Sequence, residues 1–169
     1  SYKTANKDNP RLNCRLKNLK KYSPKRVILD NKLDLNKKSY LFKSATKDNT
    51  IIFFNEADKS KVIDFKKNKI NIIKSNINKD KKFDIKMIMR KLYYLECRNL
   101  LIEGGNNLTN HMLKKKLFNQ FYLFKSQKKL SKLVEYKEFK GLKILNQTYK
   151  NKLKLKSNFG KDIVILHKY

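Results

Sequence analysis

The chain reads as an α/β protein on a mostly parallel sheet closed by an antiparallel hairpin, and three observations carry that reading. Arg26–Asp30 (RVILD), Thr50–Phe54 (TIIFF) and Ile70–Ile73 (INII) are short runs rich in β-branched or aromatic residues and mainly apolar, as buried parallel strands are. Helical patterns alternate with the strands over the first two-thirds, the strongest at Asp84–Glu96, where Ile85, Ile88, Met89, Leu92 and Leu95 form one stripe. Near the end, Ser157-Asn158-Phe159-Gly160 separates two strand-like stretches and signals a hairpin loop.

Taken in order, Ser1–Lys21 is polar with a turn signal at Asp8-Asn9-Pro10. Pro10 restricts Asn9 to extended geometry, and Asp8 or Asn9 can bond the local backbone. The stretch reads as an ordered loop, where functional residues tend to sit. Lys32–Asn36 is a loop between the first two strands, and Val62–Phe65 fits either periodicity. Asp84 is the expected N-cap of its helix. Leu100–Ile102 reads as a short buried strand, and Leu108–Leu117 as a helix with Leu108, Met112, Leu113 and Leu117 at helical spacing. Phe118–Phe124 (FNQFYLF) is an aromatic-rich strand, followed by the lysine-rich connection Lys128–Lys140. The tail offers Leu142–Leu145, Lys150–Lys156 and Ile163–Leu166. No internal repeat or low-complexity linker interrupts the pattern.

A chain of 169 residues suits one domain with a real core. Its 43 Lys+Arg against 14 Asp+Glu, formally +29, invite a nucleic-acid reading. Two details oppose it. Only five basic residues are arginine (Arg11, Arg15, Arg26, Arg90, Arg98), whereas phosphate and base readers favour the guanidinium fork. The lysines are also spread along the whole chain, and together with abundant Asn and Ile they suggest an AT-rich coding sequence as the main source of charge. Cys14 and Cys97 stand far apart with no CxxC and no His at ligand spacing, which argues against a metal and for free thiols in a reducing cytoplasm. No apolar run approaches the roughly 18–20 residues of a membrane span. The polar N-terminus, SYKTANKDNP, has no signal-peptide core and no initiator Met, which is the pattern of a fragment of something longer.

The stretch Asn99–His111 (NLLIEGGNNLTNH) concentrates the chemistry. A strand, an acidic residue, paired glycines and a helix N-terminus in succession make a ligand-binding edge. Gly104 and Gly105 lack Cβ and let a phosphate approach the backbone, and first-turn N–H groups then point at that anion. Glu103 at the strand end can accept from ring N–H groups or sugar hydroxyls. Paired glycines also occur where a turn merely has to be tight.

Two further blocks give this edge a context. Thr4-Ala-Asn-Lys-Asp8-Asn-Pro10-Arg-Leu12-Asn-Cys-Arg15, followed by Arg26-Val-Ile-Leu-Asp30, resembles the T-x-x-x-D-[DN]-P-x-L-x-x-R … R-V-[IV]-[IL]-D pattern of the bacterial riboflavin-biosynthesis reductase. That reductase is the C-terminal half of a bifunctional deaminase/reductase. Leu101-Ile102-Glu103-Gly104-Gly105 resembles the same family's E-G-G at a strand end, and the order and separation of the three blocks agree. The resemblance covers essentially the whole chain, although between Asn31 and Arg98 it rests on element order alone.

The resemblance implies a dihydrofolate-reductase-like, three-layer α/β fold, with residues 1–169 as one reductase domain lacking its first strands. A Gly-Lys first strand, a Ser-x-Trp element, a helical Arg and the zinc-bearing deaminase half of the family have no counterpart here, and activity of this stretch alone is doubtful. The implied reaction is NADPH-dependent: the ribose of 5-amino-6-(5-phosphoribosylamino)uracil opens to an imine, and hydride goes to its C1′. By resemblance Thr4, Asp8 and Asn31 contact the cofactor. Gly105, Asn106, Asn107, Leu108, Thr109, Asn110 and His111 would wrap its phosphates. Leu12, Arg15 and Glu103 contact substrate, Arg15 being a natural partner for its phosphate.

The implied partner is thus a phosphorylated pyrimidine, with self-association left open and neither a membrane nor nucleic acid expected. The alternatives are a basic nucleic-acid-binding protein without catalysis, and a related reductase of another pyrimidine or pterin. No residue stands out as general acid, so no catalytic group is assigned. His111 reads as solvent-facing or capping rather than acid/base, His167 as surface, and Cys14 as a small buried filler. Lys20-Lys21, Lys66-Lys67, Lys81-Lys82 and Lys114–Lys116 read as solvated faces.

Overall fold

A computed structural model of the chain describes residues 1–126, 139, 141–156 and 160–168. These residues form two compact units, Ser1–Leu101 and Ile102–Tyr169.

The first unit is a parallel sheet in the order β1-β2-β3, with β1 at Arg26–Leu29, β2 at Thr50–Phe54 and β3 at Asn71–Lys74. Val27 lies opposite Ile51, which lies opposite Asn71. All five residues of the central strand β2 are buried, which is why TIIFF carries no polar alternation. On one face Ile28, Ile52 and Phe54 meet Phe65, the loop residues Leu33 and Leu35, and the buried Leu41 and Phe42. Phe65 belongs to α3 (Lys59–Lys67), so the ambiguous Val62–Phe65 run is helical. On the other face Ile51 and Phe53 pack on Ile88 and Leu92 of α4 (Ile85–Tyr94). This unit is therefore helix, sheet, helix in section. Asp84 caps α4 as expected, its Oδ1 accepting from Met87 N–H at 3.2 Å.

Two expectations fail in this unit. The N-terminal stretch is not all loop: Tyr2–Asp8 forms the helix α1, with Ala5 buried in the core. Asn9 is not extended before Pro10 but left-handed, at φ 43° and ψ 52°, capping the helix C-terminus with its N–H on the Ala5 carbonyl. Asparagine tolerates that conformation better than most residues, and here the side chain compensates by accepting from Tyr40 N–H at 2.8 Å, 31 residues away. Tyr40 opens the one-turn helix α2 (Tyr40–Lys43). The second failure is Leu100–Ile102, which is irregular and joins no sheet among the described residues. Leu101 is 83% exposed. An apolar triplet becomes a strand only where a neighbour takes its backbone groups, and periodicity cannot supply the neighbour.

The second unit begins with α5 (Asn106–Lys114), two residues earlier than the spacing predicts and ending before Leu117. It continues through β4 (Gln120–Lys125), α6 (Leu142–Thr148), β5 (Asn151–Leu155) and β6 (Ile163–Lys168). The strands make their own antiparallel sheet in the order β4-β6-β5, with β5 and β6 the expected hairpin. The Lys128–Lys140 connection, Phe139 apart, and hairpin-loop positions 157–159 lie outside the described residues. Leu113, Leu145 and Tyr149 centre the core, flanked by Phe118, Phe121 and Phe139.

His167 is not a surface residue. It sits in the middle strand β6, 1% exposed, with Nδ1 3.2 Å from the Tyr149 carbonyl oxygen. Proximity to the C-terminus misleads here because that terminus is the centre of a sheet.

Candidate functional site

In an open parallel sheet the strand ends at the carboxyl side are where ligands bind. Here that edge is polar and tightly built. Asp30, directly after β1, is fully buried; its Oδ1 accepts from Asp34 N–H at 2.9 Å and its Oδ2 from Leu35 N–H at 2.7 Å. Burial pushes its carboxyl above the ordinary aspartate value, partly opposed by those two backbone donors. The loop it holds includes Leu33 at φ 54°, a strained conformation for a buried leucine. The Asn31 carbonyl accepts from Asn55 and Glu56 N–H at 3.0 and 3.1 Å, and Asn55 Nδ2 donates to the Ser75 carbonyl at 3.3 Å. These bonds tie the ends of the three strands together. Asn31 Oδ1, among them, is buried and has no hydrogen-bond partner.

Helix α1 is fastened to this loop by Asn6, whose Nδ2 donates to the Asp34 carbonyl at 2.9 Å and whose Oδ1 accepts from Asn36 N–H at 2.8 Å. Thr4 and Asp8 are four residues apart on α1 and so share a face; Thr4 is half-buried and Asp8 exposed. Leu12, at φ 48°, packs against the same core that holds Leu33 and Leu35, so part of its surface is committed to packing. Cys14 is half-buried and free, with its N–H on Ser23 Oγ at 3.2 Å. Arg15 is exposed and makes no hydrogen bond or ring contact among the described residues.

In the second unit Glu103 is exposed just ahead of the glycines. Gly105 is the N-cap of α5, and its carbonyl accepts from Leu108 and Thr109 N–H at 3.1 and 3.2 Å. The Thr109 hydroxyl donates to the Gly104 carbonyl at 3.2 Å. The two glycines differ. A Cβ on Gly104 would lie 2.8 Å from Leu108 Cδ2 and 3.1 Å from Leu108 Cβ, so this glycine is required by packing. Gly105 has φ −68° and ψ 171°, which any residue adopts, so backbone conformation gives no reason for glycine there.

The run Gly105–His111 does not act as one surface. Leu108 and Thr109 lock the glycine turn, and Met112 and Leu113, just beyond the run, are buried. Asn107 is exposed, and the half-buried Asn110 and His111 lie one turn on along its side of the helix. Asn110 Oδ1 is buried without a partner. Asn106 is the first residue of the helix.

Sequence reasoning missed two residues of the first unit. Asp30 was visible only as the end of a strand, although an acid closing an apolar run is a loop-holding signal. Asn13 gave no signal at all, yet its Oδ1 is also buried and bare. Among the described residues no group of three or more His, Cys, Asp or Glu side chains could hold a metal ion, and no helix is long and apolar enough to cross a membrane.

Comparison with known proteins matches this arrangement to one family. The RibD C-terminal domain model matches residues 1–164. The riboflavin biosynthesis protein RibD of Aquifex aeolicus is 27% identical over 165 residues, covering 98% of this chain and 44% of the relative. RibD of Actinobacillus pleuropneumoniae is 27% identical over 164 residues, covering 94% of this chain and 42% of the relative. The chain thus spans less than half the length of these two curated relatives. Among solved structures, Acinetobacter baumannii RibD superposes with a TM-score of 0.66 at 17% identity, over 98% of this chain and 44% of that one. A pyrimidine reductase-like protein from Corynebacterium diphtheriae gives 0.70 at 16% identity, over 98% and 72%. The shared fold is the dihydrofolate-reductase-like α/β one.

Proposed function

The chain belongs to the RibD C-terminal domain family, and we propose that it reduces 5-amino-6-(5-phosphoribosylamino)uracil with NADPH, residues 1–169 forming one cytoplasmic reductase domain. The observation that supports this most directly is a bare acceptor. Asn31, at a position that the family pattern gives to the cofactor, keeps a buried side-chain carbonyl without a donor, whereas the bare Oδ1 of Asn110, at another such position, lies against Gly141 of its own unit. Buried polar groups are nearly always paired, and a ligand N–H or hydroxyl would pair Asn31. Asn31 therefore fits a contact with a nicotinamide dinucleotide.

When bound, NADPH supplies the hydride for C1′ of the opened ribose. The chain's own residues bind and orient. Gly105 leaves backbone open to a phosphate, and the first turn of α5 offers N–H groups and the positive end of the helix dipole. Asn31, Thr4 and Asp8 hold the cofactor on the first unit. Glu103 accepts hydrogen bonds from the substrate, and Arg15 takes its 5′-phosphate with a bidentate fork.

The test is direct. Mixing the protein with NADPH and the phosphorylated aminopyrimidine should bleach the reduced nicotinamide only when both are present. NADPH binding should persist at about 0.15 M salt, where purely electrostatic binding of duplex DNA falls steeply. A protein that binds DNA but neither binds NADPH nor turns over refutes the reading.

A further inference from the structure

Asn13 lies between Leu12 and Arg15, and neither the family pattern nor the packing gives it a role. Its Oδ1 is buried and lacks a hydrogen-bond partner. A bare buried carbonyl is unfavourable, so an asparagine held this way calls for a donor from outside the chain.

The loop around it is fixed rather than loose. Asn9 and Leu12 both adopt left-handed backbone, at φ 43° and 48°. That conformation is uncommon for leucine and persists only where the surroundings enforce it. The enforcement is visible on both sides. Upstream, Asn9 Oδ1 accepts from Tyr40 N–H at 2.8 Å and the Arg11 guanidinium stacks 5.5 Å from the Tyr40 ring centre. Downstream, Cys14 N–H donates to Ser23 Oγ, and that hydroxyl donates to the Lys20 carbonyl at 2.6 Å. These anchors fix the backbone on both sides of Asn13.

The other bare side-chain atoms among the described residues have accounts already: Asn31 and Asn110 at cofactor positions, and His167 Nε2 in the core of the second unit. Asn13 alone sits between the two substrate positions of the N-terminal block. Resting on the reduction proposed above, the geometry points to Asn13 as a substrate-specificity residue whose Oδ1 accepts a hydrogen bond from an N–H group of the pyrimidine. Aminopyrimidines present several such donors, whereas an analogue without the donor leaves the carbonyl bare and is rejected.

The experiment compares wild type with Asn13→Leu, which keeps the size but removes the acceptor, and with Asn13→Ala should leucine not fit. Calorimetry reads the affinity for the phosphorylated aminopyrimidine, for an N-methylated analogue and for NADPH separately, and a melt reads Tm. Both variants should bind substrate roughly ten- to hundredfold more weakly and lose the preference over the N-methylated analogue, with NADPH affinity unchanged. Tm of Asn13→Leu should hold or rise, because a bare buried acceptor has been removed. Unchanged substrate affinity and preference with a lowered Tm would make Asn13 a structural residue and overturn the inference while the reduction stands. A wild type that does not bind the substrate at all would bring down the reduction itself, and this inference with it.

Discussion

Replacing the paired glycines one at a time separates the turn from the phosphate cradle. At Gly104 the added Cβ of alanine would stand 2.8 Å from Leu108 Cδ2 and 3.1 Å from Leu108 Cβ. The leucine tip can rotate away, but its Cβ is carried by α5, so the turn must shift. Overpacking of this kind costs about 1–3 kcal/mol. For a chain of this length that is a fall in Tm of about 2–12 °C. Gly105, at φ −68° and ψ 171°, has a backbone conformation that alanine adopts readily. Gly105→Ala should therefore leave Tm unchanged or raise it, by about 0.4–1 kcal/mol of lost unfolded-state freedom. Its cost should fall on the ligand: displacing a phosphate from the helix N-terminus forfeits charge-assisted bonds of about 1.5–3 kcal/mol, roughly a ten- to hundredfold loss of NADPH affinity. Gly105→Val should exaggerate the same split. Thermal melts and a titration of reduced-nicotinamide fluorescence on the same preparations read both quantities. If Gly105→Ala melts early and binds NADPH as wild type does, the glycines serve only the turn and the cradle reading is wrong.

Glu103→Gln keeps shape and removes charge; substrate KM should rise roughly ten- to hundredfold with NADPH affinity nearly intact, and loss of NADPH instead would move Glu103 to the cofactor. Arg15→Ala should lose most of the preference for phosphorylated over dephosphorylated substrate, and Arg15→Lys much of it, while changing any lysine of Lys114–Lys116 should do almost nothing. A full preference retained in Arg15→Ala places the phosphate elsewhere. Asp30 gives a pH test. Its folded-state value is raised by burial, so the fold favours the protonated carboxyl. Its contribution is fully present below the ordinary value of about 3.9 and is lost as pH rises through the raised one. Asp30→Asn cannot ionise, so the Tm difference between wild type and variant should shrink as pH rises across that window; a constant difference refutes the assignment.

Much of the first unit was legible because its signals are local and strong. TIIFF could be little other than a buried strand, and Asp84 ahead of an apolar stripe is a cap that needs no tertiary information. The three matched blocks identified the family and the fold. What escaped depends on neighbours far away in the chain. Asn9 is left-handed because Tyr40 rewards it, and nothing near Pro10 announces Tyr40. Leu100–Ile102 has the composition of a strand but no strand partner among the described residues. His167 looked terminal, and is central because β4 and β5 flank it. Within Gly105–His111 the sequence could nominate a helix start, but only the packing of Leu108 and the Thr109 hydroxyl shows which of these residues hold the turn. Asn13 illustrates the limit most plainly, since a bare acceptor is a property of its surroundings.

The buried Arg26 bears on how this chain withstands mutational drift. In a sequence dominated by lysine, with only five arginines, each arginine can be asked what a lysine in its place would lack. The Arg26 fork reaches Thr50 Oγ1, Ser44 Oγ, the Ser44 carbonyl and Asn49 Oδ1 at 2.7–3.1 Å from a 6% exposed position. A lysine ammonium has three donors at one point and would leave some of those acceptors unpaired. Arg11 over Tyr40 and Arg98 over Tyr93, the latter at 4.4 Å, use the flat guanidinium in another way that lysine cannot copy fully. Arg26, Arg11 and Arg98 thus use a planarity that lysine lacks, whereas Arg15 and Arg90 are exposed and make no hydrogen bond or ring contact among the described residues.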